Sequence, residues 1–379
     1  MQLETFSFHP TQGWSLAEFP QLDSNDTLVL TFGGANFVNE PQALDELRAA
    51  FPLAQHVGCS TSGEIHGATV NDDSLSVAVM RFEHGKVRTA FTRIDDADDS
   101  FRAGKELAGQ LLSDDLKGVF VLSDGLMVNG SELARGLNSG LPSSVVITGG
   151  LAGDGDRFAN TWNLDQAGPR SGVVSAVGLY GERVRIGHGS KGGWDIFGPE
   201  RSVTRSAGNV LYELDNRPAL ELYKQYLGER AEGLPSTGLL FPLALRTSHD
   251  DEKRLVRTIL AVDEATQSMT FAGDIPQGSL AQLMRANFDR LVDGANDAAL
   301  VTADRTGHTG DVLSIAISCV GRRLVLGERI EEEVEAVLAA LPPGTRQVGF
   351  YSYGELSPHT TGNCDLHNQT MTLTTLSED

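Results

Sequence analysis

Gly58-Cys59-Ser60-Thr61-Ser62-Gly63-Glu64-Ile65 and Gly349-Phe350-Tyr351-Ser352-Tyr353-Gly354-Glu355-Leu356 share one pattern, G-x-x-[ST]-x-G-E-[IL], near opposite ends of the chain. Each follows an amphipathic stretch that closes on proline, residues 43–52 and 331–342, and each is entered through a strand start, Val57 or Val348. Apolar runs lie further upstream, at 27–32 and 312–318. Each copy therefore reads strand, helix, strand, glycine turn, the order of a βαβ-type unit. A duplicated architecture is the economical explanation, with a ligand site between or within the two related lobes.

A third unit resembles these two. Residues 118–122 read as a strand, 131–141 as a helix and 145–148 as the next strand, which runs into Gly149-Gly150-Leu151-Ala152-Gly153-Asp154-Gly155. Strands alternating with helices predict an α/β or mixed α+β fold, two related lobes of mixed sheets covered by helices. Segments 74–81, 87–93, 172–180 and 183–188 read as antiparallel additions to those sheets. Leu211, Leu214, Leu220, Tyr223 and Leu227 give 208–227 a helical reading. Residues 238–246 and 254–262 read as strands, 279–298 as a long helix with Ser279 as N-cap, and 369–375 as the closing strand. The expected division is an extension over 1–24, one domain over 25–215 and a second over 216–379.

The chain has 379 residues, 40% hydrophobic and 21% charged, which is ordinary for a globular protein with a sizeable core. A net charge of −21 opposes association with nucleic acid or an anionic membrane. The start lacks a basic segment followed by an apolar run, and no apolar stretch reaches the roughly 18 residues of a membrane helix, so a soluble, cytoplasmic protein is expected. Cys59, Cys319 and Cys364 are widely spaced and form no C-x-x-C pair, which argues against disulfides and structural zinc. A homodimer is compatible with all of this.

The glycines of 149–155 would let a ligand approach the backbone, although neither G-x-G-x-x-G nor G-x-x-x-x-G-K-[ST] is present and a plain tight turn reads as well. Glu64 and Glu355 would form a carboxylate pair, or hold a ligand amine, if the two repeats faced each other; alternatively each satisfies amides of its own turn. These residues, with Cys59, Gly150, Gly153 and Tyr353, make up a candidate site for a small polar metabolite such as an amino acid. No triad, nucleotide loop or H-E-x-x-H motif accompanies them, so an enzyme is not expected. Among the histidines His188 stands out, after an apolar strand and before Gly189, Trp194 and Phe197, groups that could line a flat pocket. A surface histidine in a glycine turn is the plain alternative. His249, His359 and His367 are its rivals.

The quoted turns, together with His367-Asn368-Gln369-Thr370-Met371-Thr372-Leu373, resemble the FIST family of sensory proteins, an N-terminal FIST domain followed by its C-terminal companion. The resemblance covers roughly residues 25–375 and implies a signal-transduction sensor. With no kinase or receiver-like segment read after the second domain, it is nearest to the branch called NosP, nitric-oxide sensors that bind haem. On that resemblance the expected cofactor is non-covalent haem b, the ligand NO and the partner a histidine kinase, with His188 as the candidate iron ligand.

Overall fold

The computed structural model describes every residue except 252–254, 307–309 and 359–361. The fold is mixed α+β and repeats one unit three times. In the first unit β1 (Gln2–His9) precedes β2 (Thr27–Gly33), α1 (Gln42–Ala50), β3 (Gln55–Ser60), the hairpin β4 (Glu64–His66) and β5 (Thr69–Asn71), and β6 (Leu75–Arg81). The second runs β7 (Lys86–Arg93), α2 (Ser100–Leu111), β8 (Leu116–Ser123), α3 (Gly130–Gly140), β9 (Val146–Leu151), the hairpin β10 (Asn163–Asp165) and β11 (Gly168–Arg170), and β12 (Val173–Tyr180). The third begins with β13 (Val184–Lys191) and, after the insertion described below and its helix α4 (Ala219–Leu227), continues through α5 (Phe288–Thr306) and β14 (Leu313–Cys319). It then runs α6 (Val320–Leu326), α7 (Ile330–Ala340), β15 (Arg346–Ser352), the hairpin β16 (Gly354–Pro358) and β17 (Cys364–His367), and β18 (Met371–Glu378).

The three units exchange hairpins in a closed cycle. Each sheet has a parallel pair at its centre, β2 with β3, β8 with β9, β14 with β15, flanked by that unit's returning strand and edge strand. The other flank is a hairpin from a different unit: β10–β11 beside β3, β16–β17 beside β9, β4–β5 beside β15. Parallel strands covered on both faces read as near-continuous apolar runs, which is why Thr-Leu-Val-Leu-Thr-Phe-Gly of β2 is buried throughout. Matching positions, Leu30, Phe120 and Ile315, then Phe32, Leu122 and Ile317, meet in one shared core between the sheets. Helices cover the outer faces, with Leu44 and Leu47 of α1 and Leu133 and Leu137 of α3 pointing inward.

The motif glycine that opens each turn has a packing cause. A Cβ on Gly58, Gly149 or Gly349 would overlap the carbonyl oxygen of Thr31, Val121 or Ala316 on the neighbouring strand. Beyond these glycines the three turns form a ring of main-chain hydrogen bonds. The Ser62 N–H donates to Tyr351 O at 2.8 Å, the Tyr353 N–H to Leu151 O at 3.2 Å and the Gly153 N–H to Ser60 O at 3.0 Å.

Between β13 and α5 lies an inserted antiparallel sheet with its own core of Leu211, Leu220, Tyr223, Met269 and Phe271. Two expectations fail here. Residues Val210–Leu214 form a strand, and the helix begins only at Ala219. Leu280–Arg285 is also a strand, held between strands on both sides, with Ala281 and Leu283 inward, and Ser279 donates to Pro276 O at 2.6 Å instead of capping a helix. Both stretches carry good helix formers, whose weak preference is overridden by sheet pairing. The expected 215/216 division falls on the turn after Val210–Leu214, and the third sheet takes strands from both sides of it. No helix among the described residues is long and apolar enough to cross a membrane.

Candidate functional site

Glu64 and Glu355 occupy equivalent places in two different sheets. Register pairs Glu64 with Phe350 and Glu355 with Gly150, and the matching position beside Cys59 holds Asn163. The Glu64 carboxylate accepts from the Thr61 hydroxyl and from the Ser74 N–H and hydroxyl at 2.9 and 2.8 Å. Glu355 repeats this with the Ser352 hydroxyl at 2.8 Å and the Thr370 N–H and hydroxyl at 3.2 and 2.8 Å. In the second unit Ala152 and Val173 replace the hydroxyl donors, and Asn163 donates to Val173 O at 2.9 Å. Carboxylate and donors are thus lost together. Burial pushes Glu64 up to about 7 and Glu355 up to about 8, against the pull of those hydrogen bonds. The two carboxylates do not face each other, and each is satisfied within its own unit.

The threefold repetition is broken at one turn, and a large cleft lies there. Where the first and third units pass from Ser62 or Tyr353 through one glycine to the glutamate, the second inserts residues 154–162 between Gly153 and Asn163. This loop closes a cleft of about 740 Å³ lined by Thr61, Ser62, Gly63 and Glu64, the acidic turn Asp72-Asp73, loop residues 155–157, and Arg323, Leu324 and Glu328. The cleft sits beyond the carboxyl ends of β2, β3 and β14, where ligands of open α/β sheets bind. Tyr353 and Asp154 fix the loop. The Tyr353 hydroxyl donates to Asp154 and lies 3.0 Å from Gly155 O, its ring stacks on Phe158 at 4.6 Å, and Asp154 accepts from the Ala159 and Asn160 amides at 2.9 and 2.8 Å.

Arg323, on α6, brings a cation to the first unit's turn. Its guanidinium donates to Ser62 O, pairs with both oxygens of Asp72 at 2.8 and 2.7 Å, and lies over the Tyr351 ring. Beneath it the adjacent Arg322 forms a wholly buried pair with Glu333, donating to it at 2.6 and 3.0 Å and to Gly192 O and Leu291 O at 2.7 Å. Glu333 also accepts from the Ser318 and Tyr351 hydroxyls at 2.9 and 2.8 Å. This network anchors α6 on the third sheet.

The sequence-derived candidates separate into several places. Glu64 borders the cleft, and Gly153 and Tyr353 support its wall. Cys59 is sealed in the shared core, its thiol driven upward by burial, and Gly150 and Glu355 are buried in the second sheet. His188 lies in β13 opposite Thr374 and is buried. Ile186, two residues earlier on the same face, packs so closely on the second sheet that a Cβ on Gly118 would overlap it. Trp194 belongs to a different cluster, with Ala244, Met284 and Leu291, and donates to Gln369 O at 2.9 Å, while Phe197 is exposed. None of four cavities among the described residues is lined by any of these three. His249 is exposed, His367 is buried beside Ser357 O at 2.9 Å, and His359 lies outside the described residues. Arg323, Arg157 and Asp72, which line the cleft, belong to no sequence motif, and only their position after strand ends could have drawn attention to them.

Residues 27–217 match the FIST N domain and residues 219–358 the FIST C domain. An uncharacterised protein of Methanocaldococcus jannaschii is 24% identical over 332 residues, 78% of this chain and 60% of that protein, so the chain spans about 60% of the length of that relative. Among solved structures, cyanuric acid hydrolase from A. caulinodans aligns over 93% of this chain and 89% of its own at 10% identity, with a TM-score of 0.35, too low to bear on fold or activity. With both domains matched over most of its length, the chain belongs to the FIST family of sensory, ligand-binding signalling proteins.

Proposed function

We propose that this protein senses a small polar metabolite, an amino acid or a similar zwitterion, in the cleft between the first unit's turn, the 154–162 loop and α6, and that it acts by binding and not by catalysis. The observation that carries this reading is the coincidence of the broken repeat with the 740 Å³ cleft. Its volume is that of a small-molecule site. Arginine side chains and turn amides supply donors for a carboxylate, and Asp72, Asp73, Asp156 and Glu328 supply acceptors for an amine. The partner we propose is a separate histidine kinase, on the family's sensory role alone.

Haem b, with NO as its ligand, does not fit the residues around His188. A flat macrocycle needs an open slot beside its axial ligand. His188 is instead buried in its strand, and none of four cavities among the described residues is lined by His188, Trp194 or Phe197. The deciding experiment is a thermal-shift screen of the twenty amino acids against the purified protein and its Arg323→Gln variant, run beside a haemin titration. Saturable stabilisation by an amino acid that is lost in the variant is the expected result. A one-to-one Soret shift that responds to NO, with no metabolite effect, would overturn it.

A further inference from the structure

Arg323 already holds a carboxylate, and the geometry around it is that of a seat with a replaceable occupant. Gly63 has φ +129°, and a Cβ there would overlap the guanidinium, so the motif glycine leaves the space in which Arg323 rests. The cation is fixed by Ser62 O and the Tyr351 ring, with its side chain only 20% exposed. Its partner Asp72 is 65% exposed, on the turn between β5 and β6, next to Asp73 at φ +52°. Arg157, on the inserted loop that lines the same cleft, makes no hydrogen bond or ion pair with a described residue. A half-buried guanidinium held in place on two sides faces an exposed, hydrated carboxylate, and an exposed ion pair of this kind contributes little, so exchange of the carboxylate costs little.

We infer that the ligand enters through a carboxylate group that replaces Asp72 on Arg323, with Arg157 donating to the same group from the loop side. This rests on the cleft being the sensory site. Asp72 is then a built-in competitor. While it occupies Arg323 it ties the β4–β5 hairpin and the following turn of the first unit to α6 of the third. Displacement frees that turn, so binding is converted into a loosened contact between two units. The carboxylate is the shared chemistry of amino acids and simple organic acids, and the inference concerns that group alone.

The test uses acetate as the minimal carboxylate, titrated into the ¹⁵N-labelled full chain and followed at the Ser62, Gly63, Asp72 and Asp73 amides. Saturable shifts are expected at these amides. Asp72→Asn, isosteric and at an exposed position, should bind acetate about two- to fivefold more tightly, the factor that release of an exposed ion pair provides. Arg323→Gln should abolish the shifts. Equal affinity in the wild type and Asp72→Asn would overturn the exchange while leaving the cleft as the site. No shift at these amides in Asp72→Asn, even near molar acetate, would overturn the carboxylate assignment altogether. The amino-acid screen judges the sensory reading separately, because stabilisation of the wild type that is retained in Arg323→Gln would keep a metabolite sensor while removing Arg323 from its site.

Discussion

Replacing Glu355 with glutamine removes an ionisation while keeping the side chain's shape. Folding raises this carboxyl from 4.5 to about 8 because burial outweighs three donated hydrogen bonds. Between those values the folded protein holds a proton that the unfolded chain has released, so rising pH favours unfolding. The stabilisation is complete below pH 4.5 and is lost as pH climbs through 8. At about 1.4 kcal/mol per pH unit, the span corresponds to about 5 kcal/mol, an upper limit because relaxation and water entry reduce the cost of burying the charge. Glu355→Gln cannot ionise. Its denaturation midpoint should lie below that of the wild type at pH 5, since rearranging the Ser352 and Thr370 bonds costs about 1–3 kcal/mol, and the gap should close or reverse by pH 8.5. Urea unfolding of both proteins at half-unit steps from pH 5 to 8.5 measures this. Curves that stay parallel throughout would refute the reasoning, since they would mean that Glu355 ionises alike in the folded and unfolded chain.

Arg322→Met leaves Glu333 buried without its cation and should cost about 3–5 kcal/mol in chemical unfolding. Adding Glu333→Leu should recover much of that loss, and equal, additive losses in the two single variants would show that the pair is not coupled. Tyr353→Phe keeps the stack on Phe158 but removes the hydroxyl held by Asp154, and should cost about 1–2 kcal/mol. Amide exchange at Ala159 and Asn160 should quicken in this variant; unchanged exchange would show that the loop is fixed by other contacts.

The repeated unit was legible because its causes are local. A parallel strand buried on both faces must be apolar along its length, and a strand end pressed against a neighbour's carbonyl must be glycine, so β2, β3, β14 and β15 announced themselves. The cyclic exchange of hairpins was not legible, because β4 and β16 are too short to show which sheet they join. Leu280–Arg285 was misread since Leu-Ala-Gln-Leu-Met-Arg favours a helix by composition and is held as a strand only by partners on both sides. At the candidate site, Glu64 and Glu355 were visible as a pair but not as members of separate sheets. Arg323 was invisible, since what distinguishes it is the space that Gly63 leaves, a relation between two units.

That relation also explains why a repetitive fold can sense. Three copies of one unit, each lending a hairpin to another's sheet, give a framework in which a turn of one unit is always packed on the strand end of another. Where the copies agree, the contact is closed: the third unit's turn is filled by Glu355, Ser352 and Thr370, all buried. In the first unit's turn the same carboxylate is satisfied in the same way, yet the inserted loop and α6 stand off from it and leave a cavity. The glutamates therefore keep the turns in shape in both places, and on the function proposed above recognition at the open one falls to groups that the repeat does not supply, Arg157 from the insertion and Arg323 from α6. A ligand that engages both arginines touches the second and third units while resting on the first. If it displaces Asp72 as inferred above, its binding energy acts across the contacts that close the cycle and changes how two units are joined.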